Sequence, residues 1–145
     1  MAKFKYRFES IKEIKKRYEK KVQKEVAVID LEIKKREQQI IELHEKSKNE
    51  KIKILEKGTK KVSELHFFSM YDNYIMNEID NVKQEIEIKK IEKEKKIIEL
   101  AEKTKETKIF EKLEEKHFEE FKIEENKKEQ LELDEIAVTK FIKGK

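Results

Sequence analysis

The sequence predicts an all-α fold in which two long helices form an antiparallel two-stranded coiled coil, a helical hairpin. Three observations predict it. Of the 145 residues, 48% are charged and only 36% are hydrophobic, whereas a compact globule carries about 45–50% apolar residues. A thick core is therefore not available. The chain has no Pro and only two Gly, so it holds almost none of the residues that punctuate turns. Its apolar residues nevertheless recur at helical spacing, which separates it from a disordered polyelectrolyte of similar composition.

The first helix is expected over residues 4–57. Phe4, Phe8, Ile11, Tyr18, Val22, Ile29, Ile33, Ile40, Leu43 and Ile54 fall within one narrow stripe at about 100° per residue. Gly58 is the first helix breaker and suits the left-handed residue that closes a helix. A loop over 58–62 follows, and Ser63 is placed to cap the second helix by accepting a hydrogen bond from a free backbone N–H. The second helix is expected over 63–142, with Phe68, Tyr71, Ile75, Ile79, Val82 and Ile86 as its stripe. Farther on, the stripe thins to Lys93, Ile97, Leu100, Thr104 and Thr107. Around Ile109, Phe110, Leu113, Phe118 and Phe121 the apolar residues scatter over several faces.

A stripe of this length does not stay in water alone, and a short loop makes consecutive helices antiparallel neighbours. Residues 1–145 are thus read as a single hairpin with unequal arms of ~80 and ~120 Å at 1.5 Å per residue. Pairing outward from the loop sets Phe4 opposite residue 116 or so, and the C-terminal part of the second helix projects beyond the pairing. A competing hairpin would turn at "YDNY", 71–74, but that segment lies within good helical periodicity.

Lys and Arg total 37, Asp and Glu 33, for a net charge of +4. The signs are interspersed, as on a solvated helix surface, so no nucleic acid is expected as a partner; a nucleic-acid footprint gathers its cations on one face. No apolar run approaches the ~20 residues that span a bilayer, so no direct membrane span is expected. The basic "MAKFKYRF" is followed by no apolar stretch of a signal peptide. Cys is absent, which removes disulfides and thiolate sites. A cytoplasmic protein, monomeric when free, is the expectation.

No enzyme activity and no cofactor are expected. The chain has no Gly-rich phosphate loop and no Ser nucleophile elbow. A two-helix hairpin offers no pocket in which a carboxylate is desolvated enough for general acid catalysis. Glu114 and His117 make a Glu-x-x-His step, but di-iron bundles need two such steps and two further Glu. With no second copy, the pair reads as two surface residues.

Two stretches stand out as candidate interaction sites. In "LHFFSMYDNYIMNEI", 65–79, Phe67, Met70 and Tyr74 lie about 100–160° away from the helix stripe. A two-stranded coil buries one seam, so these residues form a second, exposed apolar face of the kind that meets a partner. In "EQLELDEIAVTKF", 129–141, Leu131, Leu133, Ile136 and Val138 lie past the end of the pairing and do not share one face, and Phe141 ends the same stretch. A helix apolar on several sides calls for enclosure, by another protein or by another copy of itself.

"NKKEQLELDEIAVTKF", 126–141, resembles the C-terminal signature of the flagellar FliJ family, with Asn126, Gln130, Leu133, Asp134, Glu135, Ile136 and Ala137 filling it. The opening "KFKYRFESIKEIKKRYEKKVQKEVA" and the middle "YDNYIMNEIDNV" are similar to the family's N-terminal pattern and to its second-helix start. The resemblance implies a component of the flagellar type III export apparatus, with a coiled coil like the central stalk of rotary ATPases. It implies that the terminal end enters the pore of the hexameric export ATPase FliI, through Gln130, Leu133, Asp134, Glu135, Ile136 and Phe141. It also implies a contact with the export gate protein FlhA at Tyr74, Glu78, Asn81 and Glu85, beside Phe67 and Met70, and binding of empty export chaperones. Position 78 is Glu where the family often has an apolar residue. The protein is then expected at the cytoplasmic face of the export apparatus. Alternatives are the stalk of a related type III secretion or rotary ATPase, or a self-assembling coiled-coil rod.

Overall fold

The structure, a computed structural model, describes residues 2–57 and 61–144. Two helices, α1 (Glu9–Glu56) and α2 (Val62–Lys143), pack against each other as a hairpin. No strand occurs among the described residues. The segment 71–74 is helical, so the alternative turn at "YDNY" does not form. Gly58 lies outside the described residues.

Both helices begin differently from expectation. The backbone carbonyl of Lys61 accepts bonds from the N–H groups of Glu64 and Leu65, at 3.0 and 3.2 Å. Lys61 therefore sits at the N-cap and Ser63 lies inside the first turn, which corrects its assignment as the cap. At the other end, α1 starts at Glu9, and residues 2–6 are not helical. Lys3, Lys5 and Arg7 alternate with Phe4, Tyr6 and Phe8. Residues 7 and 8 form a turn into α1: the Glu9 N–H donates to the Tyr6 carbonyl at 3.2 Å, and the Phe8 carbonyl accepts the Lys12 N–H at 2.9 Å. The aromatics are covered to different degrees, with Tyr6 buried and Phe4 and Phe8 half-buried, while the three cations are exposed.

The chain comprises two units, a central one, Lys21–Leu100, and a terminal one formed by Met1–Lys20 with Ala101–Lys145. In the central unit, Val22, Ile29 and Ile33 of α1 and Ile75, Ile79, Val82 and Ile86 of α2 are buried. Ile29, Ile33, Val82 and Ile86 form one cluster, against which Ile40 and Leu43 pack. Polar pairs continue the same antiparallel register. The Ser47 hydroxyl donates to Asp72, Arg36 pairs with Glu85 at 3.2 Å, Lys89 with Glu32 at 2.8 Å, Lys93 with Asp30 at 2.8 Å and Lys96 with Glu25 at 2.7 Å. Lys89, Lys93 and Lys96 follow Ile86 at three- and four-residue steps, so the apolar seam passes into a lysine seam. Polar residues at seam positions specify register at some cost in stability.

The terminal unit pairs in the same sense. Thr104 donates to Glu19 at 3.1 Å, Lys15 to Glu106 at 3.1 Å and Lys12 to Glu114 at 2.6 Å. Lys12, Lys15 and Glu19 therefore occupy the α1 seam here, while Ile11 and Tyr18 are exposed. The apolar stripe expected from the sequence runs through these two, and the polar pairing across the seam displaces it. On α2, Thr107 is buried and its hydroxyl donates to the Lys103 carbonyl at 3.0 Å. In the central unit Ile97 is likewise exposed, because Lys93, Lys96 and Leu100 keep the heptad step and leave it outside.

Candidate functional site

In the terminal unit the site is built on the non-helical segment before α1. The rings of Phe4, Tyr6 and Phe8 all meet rings of α2. Phe4 lies 5.3 Å from Phe118 and 5.5 Å from Phe121, centroid to centroid. Phe8 lies 6.3 Å from Phe110. His117 stands against both Tyr6 and Phe8, at 5.7 and 6.0 Å. The Tyr6 hydroxyl donates to the Phe110 carbonyl at 2.8 Å. Burial is the first cause that raises the Tyr6 pKa above the usual tyrosine value, and Glu114 is the second. Hydrogen bonding to Glu114 raises the Lys12 pKa. Glu114 and His117 are thus engaged with the start of the chain rather than being two plain surface residues. Phe4 packs close to the position that pairing from the turn assigns it.

Beyond Phe121, α2 has no α1 segment beside it. Every described residue from 126 to 144 is exposed. The helix continues nonetheless to Lys143, where Gly144 N–H donates to the Lys140 carbonyl at 2.9 Å. Gln130 donates to Asp134 at 3.2 Å, and the Thr139 hydroxyl donates to the Glu135 carbonyl at 2.8 Å. At about 100° per residue, Leu131, Val138 and Ile142 share one side, Leu133 and Ile136 another, and Phe141 lies between them beside Ala137. All six of these larger apolar residues are exposed.

In the central unit, Phe67, Met70 and Tyr74 are exposed on α2, on a face turned away from the seam. Asn81 shares that outward face, whereas Glu78 is half-buried at its margin and Glu85 is tied to Arg36. The structure therefore brings Phe67, Met70, Tyr74 and Asn81 onto one surface and sets Glu78 and Glu85 along its edge.

The chain matches the model of the flagellar FliJ protein family over residues 4–145. It belongs to the FliJ family. It is accordingly a flagellar, export-related protein of a non-enzymatic family. No curated protein and no solved structure gives a match. In this FliJ-family chain no described helix is long and apolar enough to cross a membrane. The described residues contain no group of three or more metal-binding side chains.

Sequence reasoning missed Tyr6, Lys12 and the Ser47–Asp72 pair. The alternation in "KFKYRF" was the available signal for Tyr6. Heptad extrapolation from Val22 back through Glu19 and Lys15 was the signal for Lys12. Ser47 was hidden because hydrophobicity alone was used to trace the seam.

Proposed function

We propose that this chain is a non-enzymatic stalk of the flagellar export apparatus. Its C-terminal helix enters the pore of the hexameric export ATPase FliI, and its exposed patch near the turn meets the export gate protein FlhA. The single observation that supports this reading most is the helix over 122–143, which has no α1 neighbour and carries apolar side chains on several sides. Such a helix gains stability when a ring of protein encloses it. Gln130, Leu133, Asp134, Glu135, Ile136 and Phe141 are the residues assigned to that contact. Phe67, Met70, Tyr74, Glu78, Asn81 and Glu85 are assigned to the gate.

Catalysis in this scheme belongs to the ATPase. The stalk acts by binding the assembled ring more tightly than the separate subunits, since a ligand shifts an equilibrium only through differential affinity. Family resemblance adds binding of empty export chaperones and a position at the cytoplasmic face of the apparatus.

The test compares the full chain with a chain ending at Phe121. Hexamer formation and ATP hydrolysis of a flagellar export ATPase are measured with each. The full chain is expected to stimulate both and the shortened chain neither. Equal stimulation by the two chains would remove the tip as the insertion element. In the same preparations, Tyr74→Ala and Phe67→Ala are expected to weaken gate binding without changing ATPase stimulation. Unchanged gate affinity removes the patch assignment.

A further inference from the structure

The seam of α2 in the central unit runs through Ile75, Ile79, Val82, Ile86, Lys89, Lys93 and Lys96 at three- and four-residue steps. The positions opposite that seam face away from α1 and in a two-stranded coil are ordinarily charged. Here they are not. Phe67, Met70 and Tyr74 occupy them at one end and Ile88 and Ile91 at the other, with only Asn and Gln between. No charged residue falls on this outward row from Phe67 to Ile91, in a chain that is 48% charged. Ile88 is 65% and Ile91 56% exposed, and Ile98 recurs one heptad after Ile91 at 63%. Lys95 is the one charge between those last two.

The row has acidic borders along its second half. Glu78, Glu85 and Glu92 lie on one side at seven-residue steps, and Asp80, Glu87 and Glu94 lie on the other in the same way. Glu85 and Glu92 are engaged by Arg36 and Lys89, and Glu87 lies 3.8 Å from Lys90. Asp80 and Glu94 make no ion pair among the described residues. Lys83 and Lys90 stand farther round, between this border and the seam.

We propose that this outward row on α2, from Phe67 to Ile91, is the docking surface for a basic amphipathic helix of a partner protein, which lies along it as a third strand. An apolar stripe flanked by carboxylates fits a helix whose own apolar stripe is flanked by Lys and Arg, as flanking charges set partner choice in coiled coils. The row spans roughly 36 Å at 1.5 Å per residue, so the complementary helix has about 25 residues. The surface contains the proposed gate-facing patch, with Phe67, Met70, Tyr74 and Asn81 on the row and Glu78 and Glu85 in one border. It extends that patch with Ile88, Ile91, Glu92 and the opposite border of Asp80, Glu87 and Glu94, and it does not depend on which protein supplies the helix. The acidic borders disfavour an anionic lipid surface.

The full chain is titrated with two synthetic helical peptides of about 25 residues, each with Leu at its apolar positions. One carries Lys and the other Glu at the flanking positions. Binding is read by fluorescence anisotropy at low and high salt. The Lys peptide is expected to bind, more weakly as salt rises, and the Glu peptide is expected not to. The double variant Ile88→Ser, Ile91→Ser is expected to lower affinity about tenfold or more with the thermal midpoint unchanged, because both side chains are exposed. Glu87→Lys with Glu94→Lys is expected to reverse the preference between peptides. Equal binding of the two peptides, or wild-type affinity in the Ile variant, overturns the proposal. A concentration-dependent oligomer of the wild-type chain, lost in the Ile variant, overturns it in favour of a second copy. ATPase stimulation measured on the same variants reports on the stalk reading alone, since none of these substitutions lies in the C-terminal tip.

Discussion

The Tyr6 hydroxyl donates a 2.8 Å hydrogen bond to the backbone oxygen of Phe110, a residue 104 positions along the chain. It ties the non-helical start of the chain to α2 within the stretch from Phe110 to Phe121 that this segment covers. Tyr6→Phe removes this bond and keeps the ring, and is expected to cost about 1 kcal/mol, the usual net value of one such bond. Tyr6→Ala also removes a buried ring and is expected to cost about 3 kcal/mol or more. Urea unfolding measures both. Hydrogen exchange in the Ala variant is expected to rise in residues 2–8 and in α2 around Phe110. Protection unchanged at those sites would mean that the segment is held by something other than Tyr6.

Ile79 and Ile97 are the same residue type on the same helix with different surroundings. Ile79 is 2% exposed within the central seam, and Ile97 is exposed. Ile79→Ala is expected to destabilise the fold by about 2–5 kcal/mol. Ile97→Ala is expected to stay within about 0.5 kcal/mol. Comparable losses for the two would show that the seam near residue 97 runs through isoleucine rather than through Lys96 and Leu100.

The ion pairs give the fold an acid limb and an alkaline limb. Hydrogen bonding to Lys96, Lys93, Lys89 and Lys15 holds the carboxyl groups of Glu25, Asp30, Glu32 and Glu106 below their ordinary values. A carboxylate so lowered stabilises the fold fully above its unfolded value, about 4. That contribution is lost as pH falls through the lower, folded value. The hydrogen bonds that Lys12, Lys89 and Lys96 donate to Glu114, Glu32 and Glu25 raise the pKa of these lysines. Their contribution is complete below the unfolded lysine value, about 10.4, and is lost as pH rises through the higher, folded one. The thermal midpoint is therefore expected to be level between about pH 5 and 10 and to fall on both sides. Glu25→Gln and Glu32→Gln together are expected to flatten the acid limb. An acid limb identical to that of the wild-type chain would show that these pairs are open in solution.

Much of the central hairpin was legible because one apolar pattern repeats along both helices. Val22, Ile29, Ile33, Ile75, Ile79, Val82 and Ile86 are all β-branched and apolar, so hydrophobicity alone traced their seam. Where the seam turns polar, at Lys12, Lys15, Glu19, Lys93 and Lys96, following hydrophobicity led to Ile11, Tyr18 and Ile97 instead. Those three lie close to the seam by angle but are exposed. What places Lys12 or Lys96 inside is the pairing partner across the interface, and that is a property of the fold, not of either residue. The non-helical start was missed for a different reason. Phe4 and Phe8 are also four residues apart, which suits a helix as well as a strand, and only Tyr6 between them distinguishes the two. For the candidate sites, exposure of Phe67, Met70 and Tyr74 followed from angle alone. The charge-free row reaching Ile91 needed the observed seam as a reference.

The tip carries the last prediction. Leu131, Leu133, Ile136 and Val138 are exposed along a helix with no α1 segment beside it, so nothing in the hairpin is lost when they are made polar. Leu131→Ser, Leu133→Ser, Ile136→Ser and Val138→Ser combined are expected to leave the urea midpoint within the error of the wild-type value. Helix content beyond Phe121 is expected to fall modestly, because Ser has a lower helix propensity than Leu and β-branched Val and Ile differ little from it. If this helix is enclosed by an ATPase ring, the same chain is expected to lose its stimulation of ATP hydrolysis by about tenfold or more, as removal of several buried anchors does at an interface. The two measurements separate fold from function. A lowered urea midpoint would mean that the tip folds back on its own hairpin. Stimulation retained in full would mean that the ring holds the chain elsewhere, and the aromatic cluster of Phe4, Phe118 and Phe121 would be the next surface to change.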